Sequence, residues 1–246
     1  MTNFGAAYAD CYDLIHQQKD YSRETSELVK YLRGNLTDLK SLKILDFGCG
    51  TGGHIHEMLK LGLNVSGYDI NENMLKIGRK KMPEADFHSE IGILISKFDL
   101  VYSLFDVITY QINDQMLSNF LSSIYETLHL GGSLICDGWN LSGVMSNPPK
   151  TTFREIQRDN TTISRKVTPS KIDDDGVIEL KIELKDETSS EILADEAHFM
   201  RPMSTAHLEA IANRVGFSKI KFMDGGNWSN DLEKDSWRFV MFAQKS

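Results

Sequence analysis

The chain has 246 residues, 41% hydrophobic and 25% charged, an ordinary globular composition with room for one large α/β domain and an insertion. A formal net charge of -8 excludes a general nucleic-acid or membrane-surface binder, whose footprint is basic, and no run of about 18 apolar residues is present to span a bilayer. Three dispersed cysteines (Cys11, Cys49 and Cys136) without a CxxC pair argue against a disulfide framework or a metal site. The opening MTNFGAAYADCYD lacks the basic and apolar blocks of a signal peptide, so a cytoplasmic protein is expected.

In chain order, residues 22–33 place Leu28, Val29 and Leu32 on one helical face, with Gly34 as a stop. LKILDF (42–47) reads as a buried strand and 54–61 as a helix ended by Gly62. NVSGYD (64–69) is a strand, and Asn71 caps a helix that turns Met74 and Ile77 inward. Strands follow at 85–88 and 98–103. Asp114 is expected to cap a helix carrying Leu117, Phe120, Leu121, Ile124 and Leu128, with Gly131 as its stop, before a strand over 133–138. This βαβ succession implies a mostly parallel sheet with helices on both faces.

Residues 139–203 break the pattern. TTISRKVTP, VIELKIELKD and SEILADEAHFM alternate as antiparallel strands, and DDDG (173–176) reads as a tight turn. Ser204 then caps a helix with Leu208, Ile211 and Val215 inside, stopped by Gly216, and strands at 219–223 and 237–243 close the chain. The expected architecture is one seven-stranded α/β domain (1–138 and 204–246) with a β-rich insertion (139–203) after the fifth strand. That insertion is long enough to cover the active site or make a homodimer contact.

The stretch LDFGCGTGGH (45–54) carries the chemistry. Gly48, Gly50 and Gly53 satisfy G-x-G-x-x-G, the dinucleotide pattern of a nicotinamide-dependent oxidoreductase. The tighter description is Asp46-x-Gly48-x-Gly50-x-Gly52, an acid on a strand end before three alternating glycines. A pyrophosphate at a helix N-terminus disfavours a carboxylate beside it, whereas an ammonium group favours one. Asp46 therefore points to a cationic, nucleoside-bearing cofactor, and Asp69, at the end of the next strand, is placed to hold both ribose hydroxyls.

At these spacings ILDFGCGTGG, VSGYDIN and FDLVYSLFDVI resemble the motifs of class I S-adenosylmethionine-dependent methyltransferases, a Rossmann-like fold whose last strand is antiparallel. The resemblance implies S-adenosyl-L-methionine as cofactor. It puts Asp46 and Gly48 at the amino-acid end, Asp69 on the ribose, Ile70 against the adenine and Glu90 near the adenine amino group. Ser103 and Leu104 would line the methionine moiety, largely through backbone. YADCYDLIHQQKDY (8–21), SLFDVITYQ (103–111), CDGWN (136–140) and DEAHFMRP (195–202) are similar to sugar-modifying methyltransferases. Those include amino-sugar N-methyltransferases and members associated with surface polysaccharides.

The implied activity is methylation of a small sugar-like acceptor, foremost the amine of a nucleotide-linked amino sugar. O-methylation of a sugar or other metabolite and a non-catalytic adenosyl-ligand binder are the alternatives. Tyr8, Tyr12 and Tyr21 are placed to form an aromatic lid over a sulfonium, Tyr12 foremost. Tyr110 follows the fourth strand where some amino-sugar N-methyltransferases have histidine. Tyr110 and His198 are the candidates for proton removal, and His16, Trp139, Asn140 and Arg201 those for substrate contact. His198 and Arg201 have structural pairing with Glu196 or an opposed strand as their alternative. Arg154, Arg158 and Arg165 on the insertion suit a diphosphate if the sugar is nucleotide-linked, or are solvated surface residues.

Overall fold

The computed structural model describes residues 4–35, 38–158 and 161–246. Its main sheet has parallel strands β1 (Lys43–Phe47), β2 (Asn64–Tyr68), β3 (Phe87–His88), β4 (Phe98–Ser103) and β5 (Leu128–Trp139). β11 (Arg238–Lys245) runs antiparallel between β5 and β10 (Phe217–Asp224), giving the order β10-β11-β5-β4-β1-β2-β3. Strand order reverses at β1, and an open α/β sheet forms its binding crevice at such a switch point, beyond the carboxyl ends of the strands.

Helices cover both faces. α5 (Asp114–Thr127) and α7 (Thr205–Val215) bury Leu117, Leu121, Ile124, Leu208 and Ile211 against one face of the sheet. On the other, α2 (Tyr21–Asn35) and α3 (Gly53–Lys60) bury Leu28, Leu32, Ile55 and Met58. Each such aliphatic side chain contributes on the order of 1.5–3 kcal/mol by leaving water. The helix α4 (Glu72–Lys81) starts as expected: Asn71 accepts the N–H groups of Asn73 and Met74. Its inward residues are Met74 and Leu75, while Ile77 is only half-buried.

The insertion folds as a separate antiparallel sheet, β6-β7-β8-β9, comprising Thr152–Arg158, Thr161–Pro169, Ile178–Asp186 and Ile192–Met200. Its inner face packs on α1 (Ala6–Ile15), where Tyr8, Cys11 and Ile15 meet Ile163, Ile182 and Leu184. The DDDG turn is present: Asp173 accepts the N–H groups of Asp175 and Val177, and Gly176 sits at φ 78°.

Several local expectations differ from the structure. Asn113, not Asp114, caps α5, accepting from Met116 N–H, and Ser204 makes no side-chain cap on α7. Gly131 does not stop the helix. α5 ends at Thr127, β5 begins at Leu128, and Gly131 (φ 80°) lies where the β4–β5 register shifts, so it serves a bulge. β6 carries no readable alternation because only Ile156 of its residues is buried, and a short helix, α6 (Leu141–Ser146), follows β5.

Candidate active site

The carboxyl ends of β1, β2 and β4 open on a cavity of about 780 Å³ roofed by α1 and the second sheet. The glycine loop forms its floor. Gly48 and Gly50 adopt φ of 86° and 54°, and a Cβ on Gly48 would lie 2.7 Å from Val107. The N–H groups of Gly48 and Cys49 donate to the Tyr68 carbonyl at 2.7 and 3.0 Å, tying the loop to β2. Gly48→Ala meets both the strained φ and the Val107 side chain. It is expected to cost about 1–3 kcal/mol, read as a melting temperature several degrees lower and weaker cofactor binding.

Asp69 holds the loop from the other side. Its Oδ2 accepts Gly50 N–H and its Oδ1 accepts Asn71 N–H, each at 2.8 Å. Burial raises its carboxyl above the usual range, and these backbone donors oppose that shift. Each oxygen keeps a lone pair, so the carboxylate can still accept two hydroxyls. Next to it Ile70 lines the cavity while 63% exposed, and Met116, also on the wall, is 39% exposed. Apolar side chains left bare across a cavity suit a flat ring laid between them.

Five expected contact residues lie off the cavity wall. Asp46 is buried off the cavity wall beside Tyr102 and Cys49, its Oδ2 without a hydrogen-bond partner, and burial pushes its carboxyl well above the ordinary range. It underlies the glycine loop. Ser103 is fully buried, its hydroxyl donating to the Phe47 carbonyl at 2.6 Å, so it ties β4 to β1. Glu90 is exposed beyond the short β3 and does not line the cavity. Asn140 uses its amide on the Ser236 carbonyl (2.8 Å), and Arg201 pairs with Asp114 at 2.9 Å, so neither reaches the cavity.

The remaining candidates converge. Tyr12, His16, Tyr110, Trp139 and His198 all line the cavity, as do Tyr8 and Tyr21 of the expected lid. The Tyr110 hydroxyl lies 3.0 Å from His198 Nδ1, and His198 Nε2 lies 3.0 Å from Glu196. His198 is thus both a cavity residue and a structural partner of Glu196. Arg154 and Arg165 face each other across β6 and β7 and both line the cavity. Neither pairs with a carboxylate among the described residues. Burial lowers His16 to about 3, with the charges of Arg165, Lys19 and Arg154 adding to it, so His16 is neutral near pH 7.

Sequence reasoning missed two groups on the cavity wall. Glu24 accepts from Lys19 and lies 2.7 Å from His54 Nε2; burial would raise it, but those partners hold it down to about 2. Phe105 and Asp106 occupy positive φ (74° and 64°), with Asp106 clamped by Arg238 at 2.6 Å and by its N–H to Asp137. Strained non-glycine backbone held by buried ion pairs at a strand end is a mark of a functional turn. No pattern in the sequence joins Glu24 to His54, and SLFDVITYQ (103–111) contains Phe105 and Asp106 without singling out either.

Residues 44–132 match the family model described as a methyltransferase domain. The chain is 25% identical over 227 residues to the dTDP-3-amino-3,4,6-trideoxy-alpha-D-glucopyranose N,N-dimethyltransferase of Streptomyces venezuelae, covering 89% of this chain and 93% of the relative. It is 24% identical over 229 residues to the dTDP-3-amino-3,6-dideoxy-alpha-D-glucopyranose N,N-dimethyltransferase of Streptomyces fradiae, covering 91% and 88%. In fold it is similar to an S-adenosylmethionine-dependent methyltransferase of Clostridium acetobutylicum, with TM-score 0.77, 19% identity and coverage of 97% and 98%.

Proposed function

We propose that the protein, whose residues 44–132 match a methyltransferase domain, uses S-adenosylmethionine to methylate the amino group of a nucleotide-linked sugar. The cofactor end of the cavity fits S-adenosylmethionine: a glycine floor that admits no Cβ at Gly48, an acid with free lone pairs at Asp69, and the bare Ile70 beside it. Gly48, Gly50, Asp69, Ile70 and the Tyr12 lid would hold it. Bound there, it supplies an activated methyl on a good leaving group. The chain's own residues then align the acceptor, exclude water and remove a proton.

The observation that carries the substrate class is the opposed pair Arg154 and Arg165 on the cavity wall. Like charges directly across a ladder repel, and among the described residues no acid pairs with either arginine. A diphosphate would supply that neutralisation with bidentate acceptors. The relatives named above act on dTDP-linked amino sugars, in agreement with such a group. Trp139, half of a tilted pair with Trp237 at 4.8 Å, offers a face to the sugar, and Tyr110 with His198 stands by the acceptor. The second sheet acts as substrate cover.

Mass spectrometry of products from a panel of dTDP- and UDP-linked amino sugars and their hydroxyl analogues tests this reading. Methyl gain on the amine supports it; gain on the hydroxyl analogues alone would establish O-methylation instead. Calorimetry should show binding of S-adenosylhomocysteine and none of NAD. Asp46→Ala is expected to weaken S-adenosylhomocysteine binding by about tenfold or more, since it hollows the support under the loop at a cost of about 2 kcal/mol. Unchanged affinity would remove Asp46 from the cofactor site.

A further inference from the structure

The hydrogen bonds around His198 have a direction that the pairwise contacts do not show singly. Glu196 is a carboxylate and can only accept, so the proton on the 3.0 Å contact belongs to His198 Nε2. A neutral imidazole with Nε2–H has a bare Nδ1, and that nitrogen faces the Tyr110 hydroxyl at 3.0 Å, which must therefore donate to it. With its proton committed to His198, the Tyr110 oxygen presents lone pairs, not a hydrogen, to the cavity. The other oxygen of Glu196 accepts the N–H of Gly5 at 2.8 Å, at the entry to α1. One carboxylate thus fixes the imidazole and anchors the roof.

We infer that Glu196 is a positioning residue that orders a Tyr110–His198–Glu196 relay, making Tyr110 the acceptor of a proton from the substrate nitrogen. This rests on the reading of the cavity as a methyl-acceptor site. In the step, an N–H proton of the substrate passes to the Tyr110 oxygen as the Tyr110 proton passes to His198 Nδ1. The electron pair left on nitrogen forms the new N–C bond, and the C–S bond of the sulfonium breaks with its pair remaining on sulfur. The imidazolium keeps Nε2–H on Glu196 and returns its extra proton through the Tyr110 oxygen to water in the emptied cavity between turnovers.

Other groups agree with a relay rather than with Tyr110 acting alone. Burial holds the Tyr110 phenol well above its usual range, so a standing phenolate does not form. Burial also lowers His198, Glu196 raises it and Arg165 lowers it, leaving a neutral ring near pH 7. Tyr8 and Phe4 close the remaining sides, with ring centroids 5.7 and 4.7 Å from His198, and Tyr8 in turn meets Arg165 at 3.5 Å. The ring is neutral, fixed in one tautomer and screened from water.

Nitrogen NMR of histidine-labelled protein, with His198 assigned through His198→Gln, reads the tautomer without any substrate. The expected result at pH 7 is a neutral His198 protonated on Nε2; protonation on Nδ1 would overturn the relay. With the methylated acceptor in hand, Glu196→Gln should lower kcat by about 10- to 100-fold with the KM for cofactor unchanged. In the Tyr110→Phe background the same change should cost nothing further, because both act in one chain. Additive losses would reduce Glu196 to a structural role. If His198 shows the expected tautomer and no amino sugar is turned over, the substrate reading and the proton transfer from nitrogen both fail, and only the order of the Tyr110–His198–Glu196 hydrogen bonds stands.

Discussion

Asp69→Ala is expected to weaken S-adenosylhomocysteine binding by about 10²-fold or more, measured by calorimetry. Asp69 is asked for two things. It accepts the N–H groups of Gly50 and Asn71, and under the proposed function its remaining lone pairs would receive the ribose hydroxyls. Hydrogen bonds to a charged group are each worth about 1.5–3 kcal/mol, and a tenfold loss in affinity corresponds to about 1.4 kcal/mol. Losing two ligand bonds therefore gives the stated factor before any disorder in the loop is counted. Asp69→Asn keeps the shape and one accepting oxygen, so it should fall between. If alanine binds as tightly as wild type, the ribose is elsewhere and the orientation of the cofactor in this cavity must be reversed.

The contrast between Asp69 and Asp46 shows what kind of information the sequence holds. Asp69 is legible because its work is local: a strand end, a glycine amide from the adjoining loop, and the amide at Asn71 two residues on. Asp46 has an equally clear motif, yet whether its carboxylate faces the ligand or the interior depends on the side to which β1 turns it, beside Tyr102 on β4. The same division runs through the fold. The parallel core strands are legible from period and length, whereas the antiparallel direction of the last strand follows only from the family resemblance. The α5 cap falls one residue before its expected place because Asn113 and Asp114 both suit it, and distant Arg201 and His207 claim Asp114. β6 was invisible because a strand with one buried residue has no alternation to read.

For the site, residue type located Tyr12, His16, Tyr110, Trp139 and His198, all of which line one cavity. It could not locate Glu24, whose partner His54 comes from another helix, nor Asp106, whose partner Arg238 comes from the last strand. The connection of Tyr110 to His198 spans 88 residues and exists only because β9 returns beside the turn after β4. Asn140 and Arg201 failed as substrate candidates for a common reason. Each is a polar side chain near the cleft, but the Ser236 carbonyl takes the Asn140 amide and Asp114 takes the Arg201 guanidinium.

Tyr110→Phe separates the acceptor chemistries by its pH dependence. An amine protonated at neutral pH must lose a proton before its lone pair can attack. The loss of a positioned acid–base group costs typically 10²–10⁴-fold, and the lower end suits an amine that is partly deprotonated in solution. The expected kcat deficit is therefore about 10²-fold near pH 7. It should shrink as pH rises through the pKa of the substrate amine, because solvent then delivers the neutral nucleophile and the relay has nothing to remove. A hydroxyl acceptor behaves differently: its pKa lies far above the accessible range, so the deficit would persist at every pH. The substitution deletes one oxygen and leaves the ring packed near Phe4 and His198, with ring centroids at 6.2 and 5.9 Å. It also strands His198 Nδ1, which costs about 1–3 kcal/mol of stability but is a loss without pH dependence while the ring stays neutral. A pH–rate profile of the variant against wild type thus reports on nitrogen or oxygen directly, and a flat deficit would point to an alcohol.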